Sequence, residues 1–448
     1  MKKRRACICA LLLACCLLAG CVSAAAESLL EYRLLEDGSA VITGYKGSDT
    51  DLEFPAEIDG HPVTVLGRNF GFNTPGLSNL KRIVIPETMT AVEPGALQFA
   101  RGLEEIATGG NPVFDFSDGV LYDTDRQTVV LYLQTNPAED YEIPEGIRGI
   151  EDMAFFRAKV QSVSFPGSME FIGCDCFNEC SWLSEVNLNE GLKTIGTDAF
   201  TNCDRLKVIT IPASVTDIGE GAFTDNRLTE VRVAPGSADF LVADGMLINI
   251  RDGVVIVYPA KAEADTCFIP GGVTRIGAFA FYRCHNLKRI VFPEGLREIG
   301  RKAFVSCNHL TEINLPDSVV LLEGSAFEGN SDAVRLHIPA GLTEITDNFA
   351  DLAVPELEIP EGVTRIEGSF RSLPALTEVV IPEGVETIGS GSFTFCGKLA
   401  AITIPASVTE IGTGFTGCAE TLVIRVKAGS YAEQYCAERQ LKCEPVSE

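Results

Sequence analysis

Apolar and polar positions along the chain form a pattern that returns about every 23 residues. One copy of the repeat is residues 292–315 (F-P-E-G-L-R-E-I-G-R-K-A-F-V-S-C-N-H-L-T-E-I-N-L). In this copy a Pro directly follows an alternating apolar segment, and an Ala-Phe pair precedes the next such segment. This marker proline follows Ile, Phe or Leu in eleven copies, at Pro86, Pro144, Pro166, Pro212, Pro270, Pro293, Pro316, Pro339, Pro360, Pro382 and Pro405. Asn189 takes the place of the proline in one further copy, and Phe54-Pro55 opens an irregular copy, which makes thirteen units.

Each column of the repeat predicts a local structure. The alternating segment before the marker proline is typical of a strand with one buried face. Gly or Ser two residues after the proline indicates a tight turn, as at Gly295 and Ser407. A second Gly column, which includes Gly219, indicates either a special backbone conformation or a close approach that a Cβ would obstruct. Stacked Phe residues, such as Phe200 and Phe223, predict an aromatic spine inside the coil.

No single unit can close its own core, so the units must stack on their neighbours. The sequence therefore predicts a β-rich solenoid, a right-handed superhelix of about 23-residue repeats with a parallel sheet on one face, over residues 51–426. Two intervals of 58 residues predict inserted β-hairpins near 108–142 and 235–268. Residues 21–50 predict a linker and a hairpin cap around Asp37-Gly38. In 427–448, a capping box from Ser430 to Glu433 predicts a short helix through about Gln440.

The N-terminal segment predicts export. Lys2 to Arg5 are basic and Ala6 to Gly20 are apolar, as in a secretory signal peptide. The following Leu18-Ala19-Gly20-Cys21 resembles the lipobox of bacterial lipoproteins, in which the Cys is acylated and becomes the mature N-terminus. We therefore expect 1–20 to be removed and Cys21 to carry a lipid anchor. The alternative is ordinary cleavage after the run of Ala at 24–26.

The consensus I-P-x-[GS]-V-x-x-I-G-x-x-A-F-x-x-C-x-x-L-x-x-[IV]-x-I resembles the BspA-type leucine-rich repeat of bacterial surface proteins over nearly all of 51–426. It departs from the general leucine-rich pattern, because Cys or Asn follows the Phe by three residues instead of standing in its usual slot. The resemblance implies a non-catalytic, lipid-anchored adhesion protein at the bacterial cell surface. It also implies partners outside the cell, with host extracellular-matrix proteins such as fibronectin or fibrinogen among those of relatives.

Charge and composition narrow the function further. With 36 Lys and Arg against 62 Asp and Glu, the net charge of −26 excludes a protein that coats nucleic acid. The four His and the absence of a nucleophile elbow, a zinc-protease motif or a Walker A motif give no catalytic, metal or cofactor residues. Cys174, Cys176 and Cys180 are spaced like metal ligands, but two of them occupy repeat columns. We therefore expect no enzyme activity and no cofactor.

Six cysteines share one column with Asn residues, three positions after the spine aromatic: Cys180, Cys203, Cys284, Cys307, Cys396 and Cys418. A slot that accepts both Cys and Asn indicates a buried group that bonds to the turning backbone. Equivalent side chains on stacked repeats point in parallel, so we expect free thiols although neighbouring repeats bring three pairs close together.

What remains is an exposed surface. One strand position should face outward in every repeat, at Val84, Ser164, Asn187, Thr210, Val291, Asn314, His337, Glu358, Val380 and Thr403. The loop ahead of the strand adds Trp182, Arg205, Asn286, His309 and Lys398. Solenoids bind other macromolecules through extended linings of this kind. The prediction is a binding module whose binding residues and partner are not specified by the sequence; a structural spacer and an exported hydrolase are the alternatives.

Overall fold

The computed structural model describes residues 29–446. The predicted signal peptide and the lipidation site Cys21 lie outside the described residues. Within 29–446 the chain is built almost entirely of short strands, and two parallel stacks of strands run along it. We call them the proline strands, each of which precedes a marker-proline position, and the glycine strands, each of which precedes the second Gly column.

The proline strands are three or four residues long and pair in parallel with equivalent strands of neighbouring repeats, in sets of two or three. Their middle residues point inward, as Val163 and Ile209 do, while the residues on either side face outward. They are β3 (Asp51–Glu53), β6 (Arg82–Val84), β8 (Glu105–Ala107), β12 (Asp140–Glu142), β14 (Ser162–Ser164), β16 (Glu185–Asn187), β18 (Val208–Ile211), β20 (Glu230–Val233), β24 (Thr266–Phe268), β26 (Arg289–Val291), β28 (Glu312–Asn314), β30 (Arg335–His337), β33 (Glu378–Val380), β35 (Ala401–Ile404) and β37 (Val423–Val426).

The glycine strands form a second parallel stack that the sequence pattern did not predict. Most have two or three residues, which is too short for an alternating pattern to reveal. They are β7 (Ala91–Val92), β11 (Thr128–Tyr132), β13 (Gly149–Ile150), β15 (Phe171–Ile172), β17 (Thr194–Ile195), β19 (Asp217–Ile218), β23 (Val254–Val257), β25 (Arg275–Ile276), β27 (Glu298–Ile299), β29 (Leu321–Leu322), β31 (Glu344–Thr346), β32 (Arg365–Glu367), β34 (Thr387–Ile388) and β36 (Glu410–Ile411).

The two predicted inserts are antiparallel. In the first, β9 (Phe114–Ser117) and β10 (Val120–Asp123) form a hairpin, and β10 also pairs with β11. In the second, β21 (Phe240–Ala243) and β22 (Met246–Asn249) are joined to β23 in the same way. Because β11 and β23 then pair in parallel with the next glycine strand, each insert ends inside the solenoid sheet.

Both ends of the described chain carry additional elements. At the N-terminal end, β1 (Leu30–Leu34) and β2 (Ala40–Tyr45) form the predicted hairpin, followed by β4 (Glu57–Ile58), β5 (His61–Leu66), the short helix α1 (Phe70–Asn73) and a 3-10 turn over Leu77–Asn79. At the other end, the capping box starts helix α2 (Tyr431–Arg439), with Ser430 accepting the Glu433 amide at 3.3 Å. A final strand that was not predicted, β38 (Cys443–Pro445), pairs with β37. No helix of residues 29–446 combines the length and hydrophobicity needed to span a bilayer.

The aromatic spine is confirmed. Neighbouring rings stack with centroids 4.7 to 5.8 Å apart in one run and 4.7 to 5.9 Å apart in the other. The second insert separates the two runs, and a Tyr from each insert begins one of them. The first run is Tyr132, Phe155, Phe177, Phe200 and Phe223, and the second is Tyr258, Phe281, Phe304, Phe327, Phe349, Phe370 and Phe393.

The second Gly column is explained by close approach. A Cβ on Gly219 would lie 2.3 Å from the backbone N of Thr197 in the preceding repeat, and the φ of Gly219 is not left-handed. The left-handed conformations fall instead on residues that flank the Ala-Phe pair, such as Asp198 (φ 54) and Asn202 (φ 59). Of the two readings that the sequence left open, the structure selects the steric one.

The cysteine column bonds to the backbone as predicted. The Cys180 thiol donates to the carbonyl of Phe155 at 3.0 Å, and Cys307 donates to Phe281 at 2.9 Å. Asn330 in the same column donates to the equivalent carbonyl of Phe304 at 3.0 Å. All six cysteines are free thiols in the structure, and five of them are fully buried.

Candidate functional site

The outward positions of the proline strands lie side by side within each set of paired strands. Parallel pairing places Ser164 beside Asn187 and Val380 beside Thr403, so equivalent residues of successive repeats become neighbours. None of the ten residues predicted for this outward row is buried. The prediction that the row faces solvent is therefore confirmed, although Glu358 does not lie in a strand as predicted. The five loop residues ahead of the strands are also exposed.

The structure adds Phe268 to this row. Phe268 pairs with Val291 in the parallel register and is 58% exposed, although it lies next to a buried Cys267. Its amide donates to the Asp244 carboxylate at 2.6 Å, which ties the strand to the second insert. The sequence signal was available, because Phe268 stands two residues before marker Pro270, as His337 does before Pro339.

Along β26, β28 and β30 this surface is concave. Two cavities of about 400 and 380 Å³ share Asp317 and His337 in their linings, so they form one groove that crosses the strands. We call it the strand-face groove. Apolar groups form part of its lining, and carboxylates stand around them. The apolar lining includes Ile290, Val291, Phe292, Leu315, Leu336 and Ile338, and the carboxylates are Glu294, Glu312, Asp317, Glu358 and Glu361.

Two of these five carboxylates have cationic or titratable partners. Arg289 lies 3.4 Å from Glu312, and His337 Nε2 lies 3.2 Å from Asp317. Asp317 also accepts the Ala340 amide at 3.1 Å, and this bond, followed by the contact with His337, holds the pKa of Asp317 below its usual value. Among the ion pairs of residues 29–446, none involves Glu294, Glu358 or Glu361. The groove therefore carries an excess of negative charge.

A second exposed feature lies in the loops ahead of the strands. The Arg205 guanidinium stacks 3.9 Å from the ring centre of Trp182, which is 45% exposed. His309 Nδ1 lies 3.0 Å from the Asp332 carboxylate. These contacts join equivalent loops of successive repeats, so this edge of the surface is built from the same repeat-to-repeat register as the groove.

The shifted titratable groups that are most deeply buried belong to the core. Desolvation raises the pKa of Cys176 and Cys203 well above the ordinary thiol value, and Cys176 packs in the same core as Cys180. Burial likewise raises the pKa of Tyr132 to about 12. Within the part of the chain that the structure describes, no group of three His, Cys, Asp or Glu is placed to hold a metal ion. Cys176 and Cys180 are fully buried, whereas Cys174 is half-buried.

Comparisons with known proteins agree with this architecture. The family model for the BspA-type leucine-rich repeat region matches residues 130–240, 260–370 and 347–436. Similar solved structures include the pneumococcal vaccine antigen PcpA (18% identity, 94% of this chain and 96% of that chain covered, TM-score 0.52). Others are a leucine-rich cell surface protein from Faecalibacterium prausnitzii (22%, 91% and 95%, 0.45) and a leucine-rich repeat protein from Bacteroides ovatus (22%, 93% and 98%, 0.42). No curated protein sequence matches.

Proposed function

The chain belongs to the family of proteins built from BspA-type leucine-rich repeats, and from that premise we propose that it is a lipid-anchored, non-catalytic binding protein of the bacterial cell surface. In this proposal Cys21 carries the anchor and the solenoid extends outward to engage macromolecules of a host or of a neighbouring cell. The structurally similar protein PcpA is described as a vaccine antigen, which supports a location at the cell surface.

The observation that carries the proposal is the strand-face groove. It is open, residues of four successive repeats line it, and Val291, Phe292 and Leu336 remain partly exposed within it. A small-molecule site would be enclosed and mostly apolar, with convergent polar groups. A long shallow groove with polar rims instead suits a protein segment.

The charges of the groove indicate which segment fits. Glu294, Glu358 and Glu361 face solvent without a cationic partner among the described residues, so a bound Lys or Arg side chain would supply the missing charge. Val291 and the exposed Phe268 offer apolar contact at the other end of the row. The proposed partner segment is therefore extended, with apolar side chains at the Phe268 end and basic side chains along the rest of its length.

The test is a binding measurement with charge variants. The mature chain is immobilised and offered host extracellular-matrix proteins and extracts of co-resident bacteria, and any captured partner is titrated in the micromolar range. Glu361→Lys should weaken binding about tenfold or more, because it places a like charge against a basic segment. Glu87→Lys is the matched control, because Glu87 also follows a marker proline and is exposed but lies near the other end of the chain.

Two outcomes would contradict the proposal. Equal affinity of the two variants for the captured partner would show that the strand-face groove is not the binding surface. If no matrix protein or bacterial component binds at micromolar concentration, the adhesion role is wrong and the spacer alternative gains support. Anchoring is tested separately, because Cys21→Ala should move the chain from the detergent phase to the aqueous phase.

A further inference from the structure

Two cysteines outside the cysteine column meet in the C-terminal cap. Cys436 lies on the buried face of α2 and is 1% exposed, and Cys443 begins β38 and is half-buried against the same apolar core. The helix ends with Gln440 in a left-handed conformation, and the Leu441 amide then donates to the Cys436 carbonyl at 3.0 Å. This reversal returns the chain to the helix, so that β38 with Cys443 lies against α2 and Cys443 packs on the same apolar core as Cys436.

The environment of this pair differs from that of the cysteine column. Each column thiol donates to a backbone carbonyl of the preceding repeat, as Cys203 and Cys396 do at 3.3 and 3.2 Å. In the part of the chain that the structure describes, neither Cys436 nor Cys443 makes such a bond to a carbonyl. Cys443 is also partly exposed, whereas Cys203 and Cys396 are fully buried. An oxidant in solvent can therefore reach the pair through Cys443, although Cys436 itself is buried.

The cap is the place where a cross-link would matter. A terminal repeat exposes an unpaired strand edge and part of the hydrophobic core unless a capping element covers them. Here the cover is β38, which pairs with β37 over only three residues, and one of them is Pro445, which has no amide to donate. We propose that Cys436 and Cys443 form an intramolecular disulfide in an oxidising compartment, which fastens the last strand to the cap helix.

The chemistry needs a disulfide oxidant, either oxidised glutathione or a protein disulfide. The Cys443 thiolate attacks one sulfur of the oxidant and expels one thiolate, which gives a mixed disulfide. The Cys436 sulfur then attacks the Cys443 sulfur, loses its proton to solvent and expels the second thiolate. Two protein thiols are oxidised and one disulfide is reduced to two thiols. Cys443 reacts first because it is the partly exposed thiol of the two, whereas Cys436 is buried. Burial and the contact with Cys443 raise the pKa of Cys436 to about 12.

Peptide mapping tests the cross-link directly. The folded full-length protein is incubated with oxidised glutathione, its free thiols are alkylated, and it is digested with trypsin without reductant. Cleavage after Lys427, Arg439 and Lys442 places the two cysteines in separate peptides, 428–439 and 443–448. We expect these peptides to be joined, with a mass lower than their sum by two hydrogens, and to separate on reduction.

The variants make the result specific. Cys443→Ser should abolish the linked species, whereas Cys174→Ser, which removes another half-buried thiol far away in the sequence, should leave it unchanged. Glutathione on peptide 443–448 with an alkylated Cys436 would overturn the proposal, because it would show that Cys443 reacts without pairing. A link that forms as readily in denaturant as in the folded chain would also overturn it, because the fold would then not bring the thiols together.

Discussion

Gly219 provides a quantitative test of how closely the repeats are packed. In Gly219→Ala the new Cβ would stand 2.3 Å from the backbone N of Thr197 and 2.6 Å from the backbone C of Gly196. Neither atom can move without a shift of the preceding repeat. Overpacking of a close-packed interior costs about 1–3 kcal/mol, and we expect a value near 3 kcal/mol because the obstructing atoms belong to the backbone.

Gly167→Ala is the matched control in the same part of the solenoid. No atom lies within 4 Å of the Cβ that it would add, and its φ is not left-handed. The substitution should leave stability unchanged or raise it by about 0.4–1 kcal/mol, since Ala restricts the unfolded chain.

The assay is urea unfolding followed by the fluorescence of Trp182, the single tryptophan of the chain. With a slope of about 1–3 kcal/mol/M, a loss of 3 kcal/mol should lower the midpoint of Gly219→Ala by about 1 M or more. If the two variants unfold within about 0.5 kcal/mol of each other, the inter-repeat approach is not as tight as described and the steric explanation of the Gly column fails.

Further predictions concern the spine, the cap, the groove and the thiols. Phe200→Ala should cost about 3–5 kcal/mol in urea unfolding because it opens a cavity between stacked rings, whereas Phe395→Ala, at a site 63% exposed, should cost less than about 1 kcal/mol. Ser430→Ala should cost about 1 kcal/mol by loss of the α2 cap, measured in the same way. Because the pKa of Asp317 is lowered in the folded chain, its contribution to stability is present above the unfolded pKa, about 4, and is lost as pH falls through the folded pKa. Asp317→Asn should remove that part of the acid dependence in unfolding curves. An unchanged dependence of stability on pH would contradict this prediction. The five fully buried column thiols should not react with a thiol reagent in the folded chain, half-buried Cys418 should react slowly, and all six should react in denaturant without reductant.

The sequence could predict those features that depend on patterns of neighbouring residues. The alternation before each marker proline, the Ala-Phe pairs and the Ser430 capping box each depend on neighbouring residues, and the structure shows the proline strands, the spine and α2 accordingly. The glycine strands were missed because two residues carry no alternation. Strand β38 was missed because its three residues include Pro445 and owe their conformation to pairing with β37.

The candidate site was predicted only in part, because exposure follows from alternation but concavity does not. The outward position of His337 could be deduced from its place two residues before a marker proline. The groove depends on how β26, β28 and β30 lie against one another, and the contact of His337 with Asp317 joins residues 20 positions apart in the chain. Asn73 shows the limit of a column argument. It stands three residues after Phe70, which is the spacing of the buried cysteine column, but it is exposed and donates to the Thr43 carbonyl.

Carboxyl footprinting of the complex with a captured partner tests the central claim most directly. A water-soluble carbodiimide modifies exposed carboxylates, and the extent of modification is read by mass spectrometry with and without the partner. If the strand-face groove is the binding surface, Glu294, Glu358 and Glu361 should be protected in the complex while Glu87 is modified to the same extent in both samples. Equal modification of all four carboxylates in the free and bound protein would contradict binding at this groove.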